Sequence, residues 1–492
     1  MRGLFAAVCV LVLMGCQRGA GGPGNVLPGG DAGDAGPDGS ICVGSRYPCS
    51  DGGTPDAGPD AGPTETPDAG PAHTIGGLGW GPFPHAPMTI YGSADGLLEA
   101  PVSASVDEGE NLWVATEKAL YVLQPGAKVF RRYTAQDGLH VGAGYTEPPD
   151  FTMVEGGGPG EAFVGYYAHD TNTSMFPDAH WYTDPIAHMG KMDQVLLHAD
   201  GTLTVNRYDL RNTNDGRYYE TRTVMSMVYD HFQHPGNLYV GSNHGITRIV
   251  PAKYFPPRRD PADPGWNNDE KVWYADHVHP WVCLGGPCDD KHPSVFGDWF
   301  GLTLAPDGRL WMGGLTCAGA LNFREALGDW IQSWEPVNPF DPALLGPPVF
   351  QPPSIGASVN IRGVAATPDG TIWFASGEAE SWRGATYGIA AWYGDPAKHS
   401  AGHFSYYDPM QLGAIEYNIL EVQALPDGRL VFGFPTTGLL SWKPGDAKGR
   451  RITQRDGLPG EQIRRMSLDR MHDPPMLLVP TDAGLAAFRD VP

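Results

Sequence analysis

The chain has 492 residues, 41% of them hydrophobic, with 67 Gly, 47 Pro and a formal net charge of −23. The apolar content suffices for a sizeable core, while so much Gly and Pro calls for many turns and argues against a helical protein. The acidic balance, with no Lys/Arg cluster, argues against nucleic acid and anionic membrane surfaces as ligands and otherwise reads as solubility.

Arg2 is followed by an apolar run from Leu4 to Gly15, too short to span a bilayer and suited to a secretory signal. The run ends in Leu13-Met14-Gly15-Cys16, which resembles the lipobox of bacterial lipoproteins. The resemblance implies cleavage before Cys16 and lipid modification of that Cys. The protein would then be extracytoplasmic, at an outer membrane or cell surface, touching membrane only through its lipid anchor. An ordinary signal peptide that happens to contain a Cys is the alternative. Residues 17–77 consist of Asp-Ala-Gly, Gly-Pro-Asp and Thr-Pro-Asp units. With scarcely any large apolar side chain they cannot offset the entropy of ordering, and they read as a flexible tether. Within it Cys42 and Cys49 bracket six residues; outside the cytoplasm they would close a small disulfide loop, or else remain two unpaired thiols.

From Val102 onward, short runs rich in Val, Leu, Trp and Tyr alternate with Gly, Asp, Asn and Pro, which predicts strands joined by tight turns. One hairpin design recurs seven times. Val102–Val106 pairs with Leu112–Thr116, Phe151–Val154 with Ala162–Gly165, and Val224–Val228 with Leu238–Ser242. Phe300–Leu304 pairs with Leu310–Gly313, Ile361–Ala365 with Ile372–Ser376, Leu420–Ala424 with Leu430–Gly433, and Ile463–Leu468 with Met476–Val479. A sheet that cannot cover its own faces must stack on its neighbours, and radial stacking of four-stranded antiparallel sheets makes a seven-bladed all-β propeller over residues 78–492. The outer-strand ending Asp-Gly-Leu occurs at 95–97, 137–139 and 456–458, while the final repeat stops after three strands. The segment before Asp95 is therefore expected to supply the fourth strand of blade seven and remove an exposed edge.

These residues resemble the two-component regulator propeller repeat, which combines a terminal Asp-Gly-Leu with Asp-x-x-Gly-x-Leu-Trp-Val-Gly-Thr. Blades one, three and six match best; blades two, four and five depart by insertion and by losing the Gly-Thr. In that family such propellers form extracytoplasmic sensor halves of membrane kinases, so the resemblance implies a sensor-like role. This chain carries no kinase motifs after the propeller. Pro368-Asp-Gly-Thr-Ile-Trp-Phe374 also looks like the repeats of streptogramin-lyase-type propellers, which use a divalent ion with His and Glu near the central channel. No matching His/Glu pair stands on an inner strand, so an enzyme is the lesser reading.

In each blade the A–B and C–D turns lie on one face and the B–C and D–A loops on the other. The A–B turns are tight, and most long stretches (166–192, 211–222, 279–298, 335–360 and 376–388) fall on the second face; 251–270 is the exception. Loops of such length are usually functional. Tyr166, Tyr167, His169, Trp181 and His188 in the first, Arg217 and Tyr218 in the second and Trp382 in the last interleave aromatic planes with polar groups, as suits a glycan, a peptide or an envelope protein. Packing of the aromatics onto the propeller rim is the competing explanation. Asp276 to His292 holds His-x-His and Cys-x4-Cys, donors that suit zinc, but oxidising surroundings favour a Cys283–Cys288 disulfide. Cys317 is read as a buried small residue. No hydrolase elbow, phosphate loop, zinc-protease helix or EF-hand loop occurs, so no catalytic residue and no cofactor is assigned, a divalent cation being the only candidate. The expectation is a monomeric, non-catalytic, ligand- or protein-binding lipoprotein. A propeller enzyme (a lyase or a glycan-acting protein) using His and carboxylate groups of the same loops, or a structural envelope scaffold, are the alternatives.

Overall fold

The computed structural model describes residues 78–79, 86–139, 150–167, 191–209, 224–232, 235–242, 245–255, 272–278, 299–314, 318–324, 329–337, 360–377, 388–393 and 403–492. Two strands, β1 (Leu78–Gly79) and β2 (Met88–Tyr91), precede the first blade. Blade one holds β3 (Pro101–Val106), β4 (Leu112–Thr116), β5 (Leu120–Leu123) and β6 (Arg131–Tyr133). Blade two holds β7 (Asp150–Gly156), β8 (Glu161–Tyr167), β9 (Lys191–Leu197) and β10 (Leu203–Asp209). In blade three are β11 (Val224–Asp230), β12 (Asn237–Ser242), β13 (Ile246–Phe255) and β14 (Val272–Val278), and in blade four β15 (Trp299–Leu304), β16 (Leu310–Gly314), β17 (Ala318–Arg324) and β18 (Asp329–Val337). Blade five comprises β19 (Ile361–Ala366), β20 (Ile372–Ser376), β21 (Ile389–Tyr393) and β22 (His403–Tyr407). Blade six comprises β23 (Glu421–Ala424), β24 (Leu430–Phe434), β25 (Gly438–Trp442) and β26 (Arg450–Ile452). The last repeat supplies β27 (Ser467–Asp469), β28 (His472–Asp473), β29 (Met476–Thr481) and β30 (Gly484–Phe488). Each blade is a four-stranded antiparallel sheet, and the molecule is a seven-bladed β-propeller.

The repeated Leu-Trp-Val-Ala/Gly of the second strand follows from burial on both faces. In β4, Leu112 and Val114 point into the apolar cluster shared with blade seven, whereas Trp113 and Ala115 point into the cluster shared with blade two. Among the described residues the buried apolar side chains form seven such clusters, one in each gap between neighbouring blades. The fourth position must be small because the next blade's inner strand passes over it. A Cβ on Gly313 would collide with Ile361 of blade five. The preceding Asp also has a structural task in blade one: buried Asp107 accepts hydrogen bonds from Trp113 Nε1 at 2.8 Å, Gly109 N at 2.8 Å, Asn111 N at 3.0 Å and Gly160 N at 3.1 Å. Its carboxylate thereby ties the A–B turn to the buried indole and to blade two, while burial pushes its pKa up to about 6.

The Asp-Gly-Leu endings are short 3-10 turns. Asp137 accepts from Thr134 N at 2.8 Å, Gly138 is left-handed (φ 95°), and Leu139 is fully buried; Asp456, Gly457 and Leu458 repeat the arrangement. The third copy, Asp95-Gly96-Leu97, follows β2, which pairs antiparallel with β30 and completes blade seven. The expected closure of the ring is thus observed.

Two features were not visible in the pattern. The register slips by one residue near the start of the inner strand in blades one to five, between Pro101 and Ser103, Phe151 and Met153, Val224 and Ser226, Trp299 and Gly301, and Ile361 and Gly363. Blade seven's inner strand is also shorter than expected. Pro480 in β29 has no N–H to donate, so the ladder breaks. Arg464 N still donates to the Pro480 carbonyl at 2.9 Å, but Arg465 N turns to blade one and donates to Val102 O at 3.2 Å.

Candidate functional site

All seven blades contribute to a cavity of about 170 Å³ on the propeller axis. Strand alternation puts residues i and i+2 on one side, so the channel is lined by Ser103 and Ser105, Met153 and Glu155, Ser226 and Val228, Leu302 and Leu304, Glu421 and Gln423, and Arg465 and Ser467. Several of the small polar groups are committed to neighbouring strands. Ser226 Oγ donates to Trp299 O at 2.9 Å, Ser467 Oγ to Ala104 O at 2.6 Å and Gln423 Nε2 to Met466 O at 3.2 Å, while Ser105 Oγ accepts from Gly156 N at 2.9 Å. Each bond joins the inner strands of successive blades.

The charged groups are placed differently. Arg465 reaches past blade one towards blade two, where its Nη1 lies 3.9 Å from Met153 Sδ. Glu421 on blade six and Glu155 on blade two interact with it electrostatically, yet among the described residues no carboxylate comes within ion-pair distance of its guanidinium. Burial pushes both carboxyls up to about 7. For Glu155 the Tyr229 N–H (3.1 Å), His231, the Ser105 hydroxyl and Arg465 act against that rise; for Glu421, Arg465 and the Val422 N–H do. The same burial holds Arg465 and Arg470 below the usual guanidinium value.

At the short-turn mouth, His231, one residue beyond β11, places Nδ1 3.1 Å from Glu108 Oε1 in the A–B turn of blade one. A His/Glu pair absent from the inner strands is therefore formed by two turns. Asp469 and buried His472 make a second pair at 2.9 Å. Among the described residues no three His, Cys, Asp or Glu side chains converge as metal ligands.

Tyr166 and Tyr167 lie within β8 rather than in a loop. Tyr166 is 1% exposed, packs in the cluster between blades one and two and donates its hydroxyl to Asp193 Oδ2 at 2.6 Å. It is a core residue here because it falls in register with buried Val164 on the same strand face. His169, Trp181, His188, Arg217, Tyr218 and Trp382 lie outside the described residues, as do Cys16, Cys42, Cys49, Cys283, Cys288 and Cys317. The long loops and the channel are different parts of the ring, and loop length carries no trace of the channel. The available signal was a charge inside an otherwise core-like inner strand, at Glu155, Glu421 and Arg465.

No protein-family model matches the chain, and no curated protein matches it. Solved structures share its architecture. The extracellular domain of a candidate hybrid two-component system from B. thetaiotaomicron aligns over 82% of this chain at 10% identity with a TM-score of 0.48, and this chain covers 41% of that one. A catalytically inactive virginiamycin B lyase from Staphylococcus aureus, solved with quinupristin, aligns over 81% of this chain and 98% of its own at 11% identity and a TM-score of 0.44. A chain of the mitotic checkpoint complex aligns over 80% and 90% at 13% identity and a TM-score of 0.43. At these levels the likeness is one of fold alone.

Proposed function

We propose that this protein is an extracytoplasmic, lipid-anchored binding propeller of the two-component regulator repeat type, which recognises a ligand without transforming it. The observation that carries this reading is the charged interior of the channel. A purely structural ring has no need of three ionisable side chains there, where burial works against the charged form of Arg465, Glu155 and Glu421 and no ion pair forms among them. The signal-like N-terminus and the tether composition support the location. Cavity size bears on the ligand: about 170 Å³ is below the roughly 300–1,000 Å³ of sites for drug-sized molecules. Only a small molecule or a single terminal group fits the channel, whereas a glycan, a longer peptide or an envelope protein would sit on the loop-rich face. Among the described residues an enzyme reading has the His231–Glu108 and His472–Asp469 pairs, each without a third converging ligand.

A ligand that binds only the folded state raises its melting temperature. Screening small polar metabolites, peptides, glycans and divalent ions, with and without chelator, by thermal shift is expected to give at least one saturable rise in Tm. A flat response across all classes would overturn the reading.

A further inference from the structure

Resting on the reading of the channel as a ligand site, we infer that its ligand is a small α-amino acid, bound as the zwitterion, with its carboxylate on Arg465 and its ammonium towards Glu421. Three observations converge. First, the guanidinium offers five donors in a planar fork suited to a carboxylate, and among the described residues its side-chain hydrogen bond is to the weak acceptor Met153 Sδ at 3.9 Å.

Second, Arg465 and the two carboxylates share one channel without closing on one another: they interact electrostatically but stand beyond ion-pair contact. A purely anionic ligand would gain Arg465 and be repelled by two carboxylates, and a purely cationic one would meet the reverse. A molecule that carries an ammonium and a carboxylate on one carbon offers a partner to each sign at once. Third, the cavity of about 170 Å³ matches an occupant of this size; a cavity of roughly 150 Å³ holds benzene. Met153, Leu302 and Met466 add apolar wall on which a short aliphatic side chain can pack.

The test uses the full chain carrying C16S. Each common L-amino acid is screened singly by thermal shift, and the best binder is followed by calorimetry against its amide, which lacks the carboxylate, and its deaminated acid, which lacks the ammonium. At least one amino acid is expected to bind, with both analogues weaker by tenfold or more. R465Q is expected to abolish binding, and R465K, which keeps the charge but not the fork, to weaken it about tenfold. Since R465Q could disturb the ring, its circular dichroism is compared with the parent; if it is unfolded, R465K and E421Q decide. Undiminished binding by either analogue or by R465K, or no response to amino acids alongside a response to another class, overturns this inference and leaves the channel reading standing. No response to any compound overturns both.

Discussion

Two carboxyls on opposite sides of the channel make the residue-scale case. Burial raises Glu155 and Glu421 to about 7, whereas a Glu in an unfolded chain titrates near ~4.3. Between those values the folded state holds more protons than the unfolded one, so stability falls as pH rises. The contribution is complete below the unfolded value and is lost as pH passes the folded value near 7. Glutamine imitates the protonated form. E421Q should therefore melt with the parent at about pH 4 and roughly 1–3 °C above it at about pH 8, with Arg465 the charged neighbour that moderates the effect. Calorimetry at the two pH values checks this, and a Tm difference independent of pH would show that Glu421 does not titrate in this window.

At the scale of the element, the A–B turn of blade one shows why a short motif was legible. Its Asp, Gly, Leu and Trp are each fixed by a local contact: Asp107 caps the turn, and Trp113 both donates to it and fills the gap to blade two. D107A removes an acceptor shared by several buried donors and should cost about 2–4 kcal/mol. D446A, at an exposed turn, should cost less than about 0.5 kcal/mol; urea denaturation separates the two. Blade count, strand pairing and ring closure were readable because they repeat, and repetition leaves a period of fixed chemistry. The channel was not. Glu155, Glu421 and Arg465 occur once each on inner strands that differ between blades, and their meeting depends on a ring closed by residues hundreds of positions apart. Tyr166 failed for the opposite reason: the strand continues two residues beyond the last motif position, and an aromatic at a loop's expected edge proved to be core.

For the whole molecule, closure rests on β2 seating against β30. Gly484 has φ +147° and a Cβ there would stand 2.7 Å from the Tyr91 carbonyl of β2. G484A should cost about 1–3 kcal/mol more than G445A, because Gly445 has a positive φ but open space around it, so the excess measures the displaced strand. Size-exclusion chromatography should also show self-association of G484A, since lifting β2 bares the edge of β30. Absence of both effects would mean that β2 contributes little to the ring.

The way β2 enters blade seven also gives the particle a front and a back. β2 begins at Met88 on the side of the short turns, and β1 pairs in parallel with β28, which lies inside the A–B turn of blade seven. The chain N-terminal to the ring therefore departs from the short-turn side. A coil of the composition of residues 17–77 has a root-mean-square span of roughly 45 Å. With Cys16 lipidated as proposed above, the propeller would hang with His231 and Glu108 towards the bilayer and offer the Glu421 end of the axis to the medium. Solutes from outside would then reach the charged lumen from the side of the B–C and D–A connections, and a partner in or near the membrane would meet the turn side.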